Sequence, residues 1–168
     1  MTEPSVRPSW QTVPAPLRLL ARWVTIVQLV GYTTSLVFVW HTTGLVPGGV
    51  AERYRGEGVP IEAAPATEAM QFPKSFGEML TITHTHLLGL AVIFVLTGIG
   101  VALCTRPSER WRRFLIAEPF AALLVSFAAM WLMRYADARF AWLLGASSGL
   151  LAITFYVQSV LILRELRQ

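Results

Sequence analysis

Long runs without formal charge alternate with short segments that hold nearly all of the charged residues. Between Arg22 and Glu52 no residue is formally charged. The first part of that run, Trp23 to about Thr43, is long enough to cross a hydrocarbon core of roughly 30 Å. Three further apolar runs follow, from about Met79 to Cys104, about Phe114 to Met133 and about Phe140 to Leu163, each closed by charged or Pro-containing segments. Only Glu118 interrupts the third. A soluble fold spreads its charges along every helix to keep one face wet, so this segregation predicts an all-α, integral membrane four-helix bundle. The Arg134 to Arg139 connection is short enough to force the last two spans into an antiparallel hairpin.

The flanks orient the bundle. Lysine and arginine number nine in the N-tail (1–22), the Thr105 to Arg113 loop and the C-tail (164–168), against five in the other two loops. The positive-inside rule then predicts that both tails are cytoplasmic and that the 44–78 loop lies in the periplasm or exterior, as in a multi-pass protein of a bacterial-type inner membrane. The first span is too long for a signal-peptide core and no small-residue cleavage site follows it directly, so it is expected to stay in the mature protein. The outer loop carries Glu52, Glu57, Glu62, Glu68 and Glu78 and is rich in Pro and Gly, which predicts sparse regular structure. It is expected to cap the bundle, with Ile61, Met70, Phe72 and Phe76 against the membrane surface. A solvated connector is the plainer alternative. The N-tail, with Pro4, Pro8, Pro14 and Pro16, is expected to lie on the surface or bind a partner.

Composition narrows the function classes. The 168 residues are 54% hydrophobic and 14% charged, a bilayer balance. The net charge of +4 does not imply nucleic acid, because the arginines flank apolar spans and never gather with interleaved aromatics into a patch. Cys104 is the only cysteine, which excludes an internal disulfide, a CxxCH haem attachment and a cysteine-based zinc or iron-sulfur site within the chain. No constellation for acyl transfer, phosphate binding or glycoside cleavage occurs. Small residues at Gly89, Ala91, Gly98, Gly100 and Ala102 in span two, and from Gly145 to Gly149 in span four, suit close helix contact.

Candidate chemistry gathers at one membrane face. His41 ends span one in VWHTTG, and His84 and His86 open span two in TITHTHLLG. The antiparallel course of spans one and two brings all three to the outer interface, within roughly two turns of it. Ionisable groups in a membrane usually mark function, although an imidazole also serves as a hydrogen-bonding or solvated structural group. His84 and His86 point about 200° apart on a helix, which disfavours a simple three-histidine zinc site. A planar haem b takes one axial nitrogen from each side, so His41 with His86 is the first pairing and His41 with His84 the second. Met70 or Met79 is an alternative axial ligand. The face from His86 through Gly89, Ile93, Thr97 and Gly100 is narrow enough in side-chain volume for a flat macrocycle, and a second stripe runs from His84 through Ala91, Gly98 and Ala102. Arg134 and Arg139 stand at the same level, as partners for haem propionates or as interfacial anchors. Trp40, Trp131, Tyr135 and Trp142 form an outer aromatic belt. On the inner half, Gln28, Glu118 and Gln158 suit either a quinone or proton site, or a helix-start carboxylate with interhelical hydrogen bonds.

The HTHLLG string from His84 to Gly89 resembles the HxHxxxxG-like signature of small membrane proteins related to NnrS and to the catalytic subunit of haem-copper oxidases. The resemblance covers roughly ten residues and implies ligation of haem or copper by His84 and His86. It departs from the signature at Ala91, where the glycine is expected, and Gly89 comes earlier. No histidine occurs in spans three or four, so the oxygen-reducing centre of those oxidases is not implied. Three readings follow. The first is a haem b electron-transfer subunit working between a periplasmic donor and a membrane partner or quinone, in a homo- or hetero-oligomer. The others are a cofactor-free accessory or assembly subunit of a larger membrane complex, and a copper- or zinc-binding membrane protein, with Glu78 or methionine assisting.

Overall fold

A computed structural model describes residues 8–56 and 72–167. Five helices form among them: α1 (Ala15–Thr43), α2 (Pro47–Arg55), α3 (Phe76–Ala102), α4 (Glu109–Tyr135) and α5 (Phe140–Glu165). Four of the five, α2 excepted, are long and apolar enough to cross a membrane. The chain is an all-α, multi-pass membrane protein. Local sequence sets the helix ends. The Ser75 hydroxyl accepts from the Glu78 N–H while the Glu78 carboxylate accepts from the Ser75 N–H, a reciprocal cap that starts α3. Ser108 accepts from the Trp111 N–H at the start of α4. At the far end of α1, Gly44 takes the left-handed conformation (φ 62°) and its N–H closes on Trp40 O, which stops the helix cleanly.

Part of the 44–78 loop is more ordered than its Pro and Gly content suggests. Residues 47–55 form α2, because Pro47 is preset for a first helical turn and tertiary contacts hold the rest. Arg55 Nη1 donates to Met133 O at 2.8 Å, the Arg53 guanidinium lies 5.4 Å from the Phe38 ring centre, and Lys74 N–H donates to Tyr54 O. This ties α2 across the C-terminal end of α4 and the segment entering α3. Ile61, Met70, Glu57, Glu62 and Glu68 lie outside the described residues. Phe72 is exposed, and Phe76 packs edge-on to Trp131.

The core belongs to α3, α4 and α5, with α4 against α5 the most extensive pair. Phe94, Ala122, Leu123, Leu151 and Phe155 fill its middle. Toward the α3–α4 loop, Val101, Cys104, Leu115 and Ile162 surround Trp10. This N-tail indole donates to Gly100 O at 3.0 Å and satisfies one of the carbonyls left open where α3 ends. Between the two clusters runs a polar tie. Pro119 lacks the N–H that would close on Leu115 O, and Gln158 Nε2 donates to that carbonyl instead, at 2.6 Å. Gln158 Oε1 accepts in turn from Thr97 Oγ1 at 2.6 Å, so one buried glutamine joins all three helices.

By contrast, α1 rides on the outside. Only 11% of its apolar window is buried, against 44% for α4. It is held by Tyr32, stacked on Phe155 with ring centres 4.2 Å apart, and by a 2.8 Å hydrogen bond between Thr33 and Tyr156.

Candidate functional site

The register of the helices fixes the height of the three histidines. Tyr32 of α1 and Phe94 of α3 both pack against Phe155, so they mark one level. From there α1 rises nine residues to His41, and α3 runs back eight residues to His86 and ten to His84. At 1.5 Å per residue these are about 13.5, 12 and 15 Å, so the three imidazoles sit within about 3 Å of one height. Their directions differ from the expectation of a bundle-interior site. His41, His84 and His86 are all exposed, on the outside of the three-helix core. The reason is that α1 leans on α5 more than on α3, leaving α3 bare around residues 84–86. Among the described residues no three His, Cys, Asp or Glu side chains gather as a metal-holding group.

The neighbours of the histidines are engaged to different degrees. His86 Nδ1 lies 3.0 Å from Ile82 O of its own helix. Arg134 Nε donates to Lys74 O at 2.8 Å, and its guanidinium covers the Tyr135 ring at 4.9 Å. Arg139 closes on Asp137, whose carboxylate accepts from the guanidinium and from the Arg139 N–H. That guanidinium, and then that N–H, hold the Asp137 carboxyl below its ordinary range, and the same contact raises Arg139. Trp131 donates its indole N–H to Thr83 Oγ1 at 2.9 Å and stacks on Tyr135, which makes it a strut between α3 and α4, while Trp40 and Trp142 stay exposed. Met79 is fully buried, whereas the three imidazoles are exposed. Met70, the other methionine considered, is outside the described residues.

The small-residue stripe below His86 is not a continuous slot. Gly89 faces open space, but a Cβ on Gly100 would meet Ile162, and Thr97 is buried in its bond to Gln158. Thus the stripe winds from the exposed surface into a filled core.

The chain matches the family model Aq_1264_TM, a transmembrane helical domain, over residues 44–168. The chain belongs to this family. Its matched part takes in α2 to α5 and includes His84 and His86, while α1 and His41 fall outside it. No curated protein and no solved structure matches the chain. The family is characterised as a transmembrane helical domain, which agrees with the three apolar helices, α3 to α5, inside the match.

The inner polar residues separate. Gln158 is the buried tie already described, and Gln28 is half-buried on α1. Glu118 does not start a helix, because α4 begins at Glu109 and places it in the third turn. It is buried, and both carboxylate oxygens lack a hydrogen-bond partner among the described residues. Sequence reading missed two buried charges near the α3–α4 loop. Glu165 accepts from the N–H groups of Thr105 and Arg106, and Arg112 donates to Cys104 O and Pro107 O. These groups fasten the loop onto the ends of α4 and α5. Their signal in the sequence is weak, since a terminal Glu and one of several loop arginines look like solvated charges.

Proposed function

We propose that the chain is a membrane subunit whose histidine level on α1 and α3 presents ligands outward, and that it holds haem b there for electron transfer. The observation behind this reading is the ring of His86. A carbonyl accepts only from a protonated nitrogen, so the 3.0 Å approach to Ile82 O puts the hydrogen on Nδ1. In the neutral ring Nε2 is then the bare nitrogen, on an exposed residue, and a carbonyl on the opposite ring nitrogen is how ligating imidazoles are commonly held. His41, at the same height, is the first choice for a second axial ligand, and His84 or a histidine of a partner chain is the other. Arg134 commits only Nε to Lys74 O and keeps terminal nitrogens for a propionate, whereas Arg139 is already paired with Asp137. When bound, haem supplies one-electron chemistry, and the chain supplies ligation and a low-dielectric setting. With the tails in the cytoplasm of a bacterial-type inner membrane, this level faces a periplasmic electron donor, and a quinone or membrane protein takes the other side of the transfer. The resemblance of HTHLLG to the NnrS and haem-copper oxidase signature points the same way.

The test is the visible spectrum and pyridine haemochrome of the full chain purified from haem-replete cells. Haem bands are expected at wild type and with His84→Ala, and their loss with His86→Ala. If haem is absent but copper or zinc co-purifies in stoichiometric amount, a metal-handling role replaces electron transfer. A second reading, a cofactor-free accessory or assembly subunit, draws on the scant burial of α1, which leaves a helix face for a partner. It is distinguished by unchanged spectra in a His41→Ala/His86→Ala variant together with partner co-purification that depends on the 44–78 loop or the N-tail.

A further inference from the structure

A groove of 490 Å³ runs along the outside of the α4–α5 pair, at the end of the molecule opposite the histidines. Its mouth is polar and cationic, lined by Arg106, Ser108 and Trp111. Its shaft is apolar, with Leu161, Ile153 and Leu150 along α5. From Leu161 to Leu150 is eleven residues, about 16 Å of helix, close to the depth of one leaflet of a roughly 30 Å hydrocarbon core. Arg106 therefore stands at headgroup level and Leu150 near the bilayer centre.

The charge at the mouth has a definite sign. The segment from Thr105 to Arg113 holds four arginines and one glutamate, a net charge of +3. Two of those arginines are occupied locally, Arg113 with Glu109 and the buried Arg112 with Glu109 and two carbonyls. Arg106 is different. Its side chain is 48% exposed and only Nε approaches an acid, Glu165, at a loose 3.9 Å, while that carboxylate already accepts from Thr105 and from the Arg106 N–H. The two terminal guanidinium nitrogens have no hydrogen bond among the described residues, and they line a slot whose remainder takes hydrocarbon. Trp111, 60% exposed beside it, is the amphipathic side chain favoured at that depth.

We infer that this groove is a binding site for an anionic phospholipid, with the phosphate on Arg106 and one acyl chain laid along α5 toward Leu150. Charge complementarity selects an anionic headgroup over a zwitterionic one, and the matched length selects a lipid of the leaflet facing the α3–α4 loop. The site is independent of the histidine level and of any cofactor there.

Native mass spectrometry of the full chain, released from mixed vesicles of equal dioleoyl phosphatidylglycerol and phosphatidylcholine, tests it. One phosphatidylglycerol is expected to be retained in preference to phosphatidylcholine. Arg106→Gln should reduce that preference about fivefold, the equivalent of the ~1 kcal/mol that one arginine contributes at an anionic surface. Ile153→Trp should fill the shaft and abolish retention of the same lipid. Arg164→Gln removes an exposed charge at the same end but outside the groove, and should leave the preference intact. Equal retention of the two lipids, or a loss with Arg164→Gln as large as with Arg106→Gln, overturns the assignment, as does a second copy of the chain seated on this face.

Discussion

Gln158 shows how a single side chain repairs a local defect and turns it into a tertiary bond. Pro119 opens the hydrogen-bond ladder of α4 at Leu115 O, and in hydrocarbon no water is available to satisfy that carbonyl. The Gln158 amide does so, and because its own oxygen accepts from Thr97, a backbone break becomes a three-helix junction. Gln158→Leu should leave Leu115 O buried without its side-chain partner, at about 1–3 kcal/mol, while the Thr97 hydroxyl keeps its 3.4 Å contact with Phe94 O. Thr97→Val should cost less, since interhelical side-chain bonds in membranes average about 0.6 kcal/mol. If the carbonyl of Leu115 is the main sufferer, Pro119→Ala supplies a new N–H at position 119 and partly rescues Gln158→Leu. Thermal unfolding of the wild type, the three single variants and the Gln158→Leu/Pro119→Ala double variant in one detergent checks this ordering, and an additive double variant would refute the proposed coupling. The sequence singled out Gln158 as a polar residue in an apolar run, but its partner was hidden, because the need arises from a proline on another helix.

At the scale of elements, the small residues of α3 divide by what lies opposite them. A Cβ on Gly100 would stand 2.5 Å from Ile162 Cδ1, whereas one on Gly89 meets nothing within 4 Å. The first glycine lets α3 and α5 approach, and the second leaves an indentation beside His86. Gly100→Ala should therefore destabilise the bundle by about 1–3 kcal/mol, the usual range for overpacking, and Ile162→Val should relieve part of it by removing the colliding methyl. Gly89→Ala should be neutral or slightly stabilising, through helix propensity alone. Denaturation midpoints of these variants read the difference directly. Glycine spacing along the chain puts both positions in one stripe, suited to close helix contact or to a flat macrocycle, and does not tell them apart. Which glycine meets a helix depends on the azimuth of α3 within the bundle, and apolar periodicity carries little of that information in a helix whose lipid-facing and core-facing residues are equally hydrophobic. The same degeneracy explains the histidines: their height followed from span boundaries and topology, but their outward direction did not. Likewise α2 rests on Arg55 reaching Met133 O, a contact 78 residues away along the chain.

The whole molecule is a tight three-helix unit, α3 to α5, with a fourth crossing attached by few contacts. Four apolar runs made the number of crossings legible in the sequence, since charge placement alone marks them, but a run of that kind reveals nothing of how firmly it packs. Stability here is expected to be uneven, with α1 able to separate at a fraction of the free energy needed to unfold the rest. Its attachment to α5 rests on Tyr32 over Phe155 and on the Thr33–Tyr156 hydrogen bond, with Ala21 and Leu29 packed beside the core clusters and Phe38 under Arg53 of α2. Tyr32→Ala removes the stack, worth about 0.5–1.5 kcal/mol for an aromatic pair, together with the other contacts of a half-buried ring at the α1–α5 seam. Tyr156→Phe removes only the hydrogen bond, about 0.6 kcal/mol by the membrane average. Hydrogen exchange in lipid nanodiscs should show faster exchange through α1 in Tyr32→Ala, with α3, α4 and α5 unchanged, and a much smaller effect in Tyr156→Phe. Equal acceleration across all four crossings would mean that α1 is part of the cooperative core after all. Were α1 alone to loosen, His41 would move independently of His84 and His86, and any ligand bridging the two helices would slow that exchange by an amount that reports its affinity.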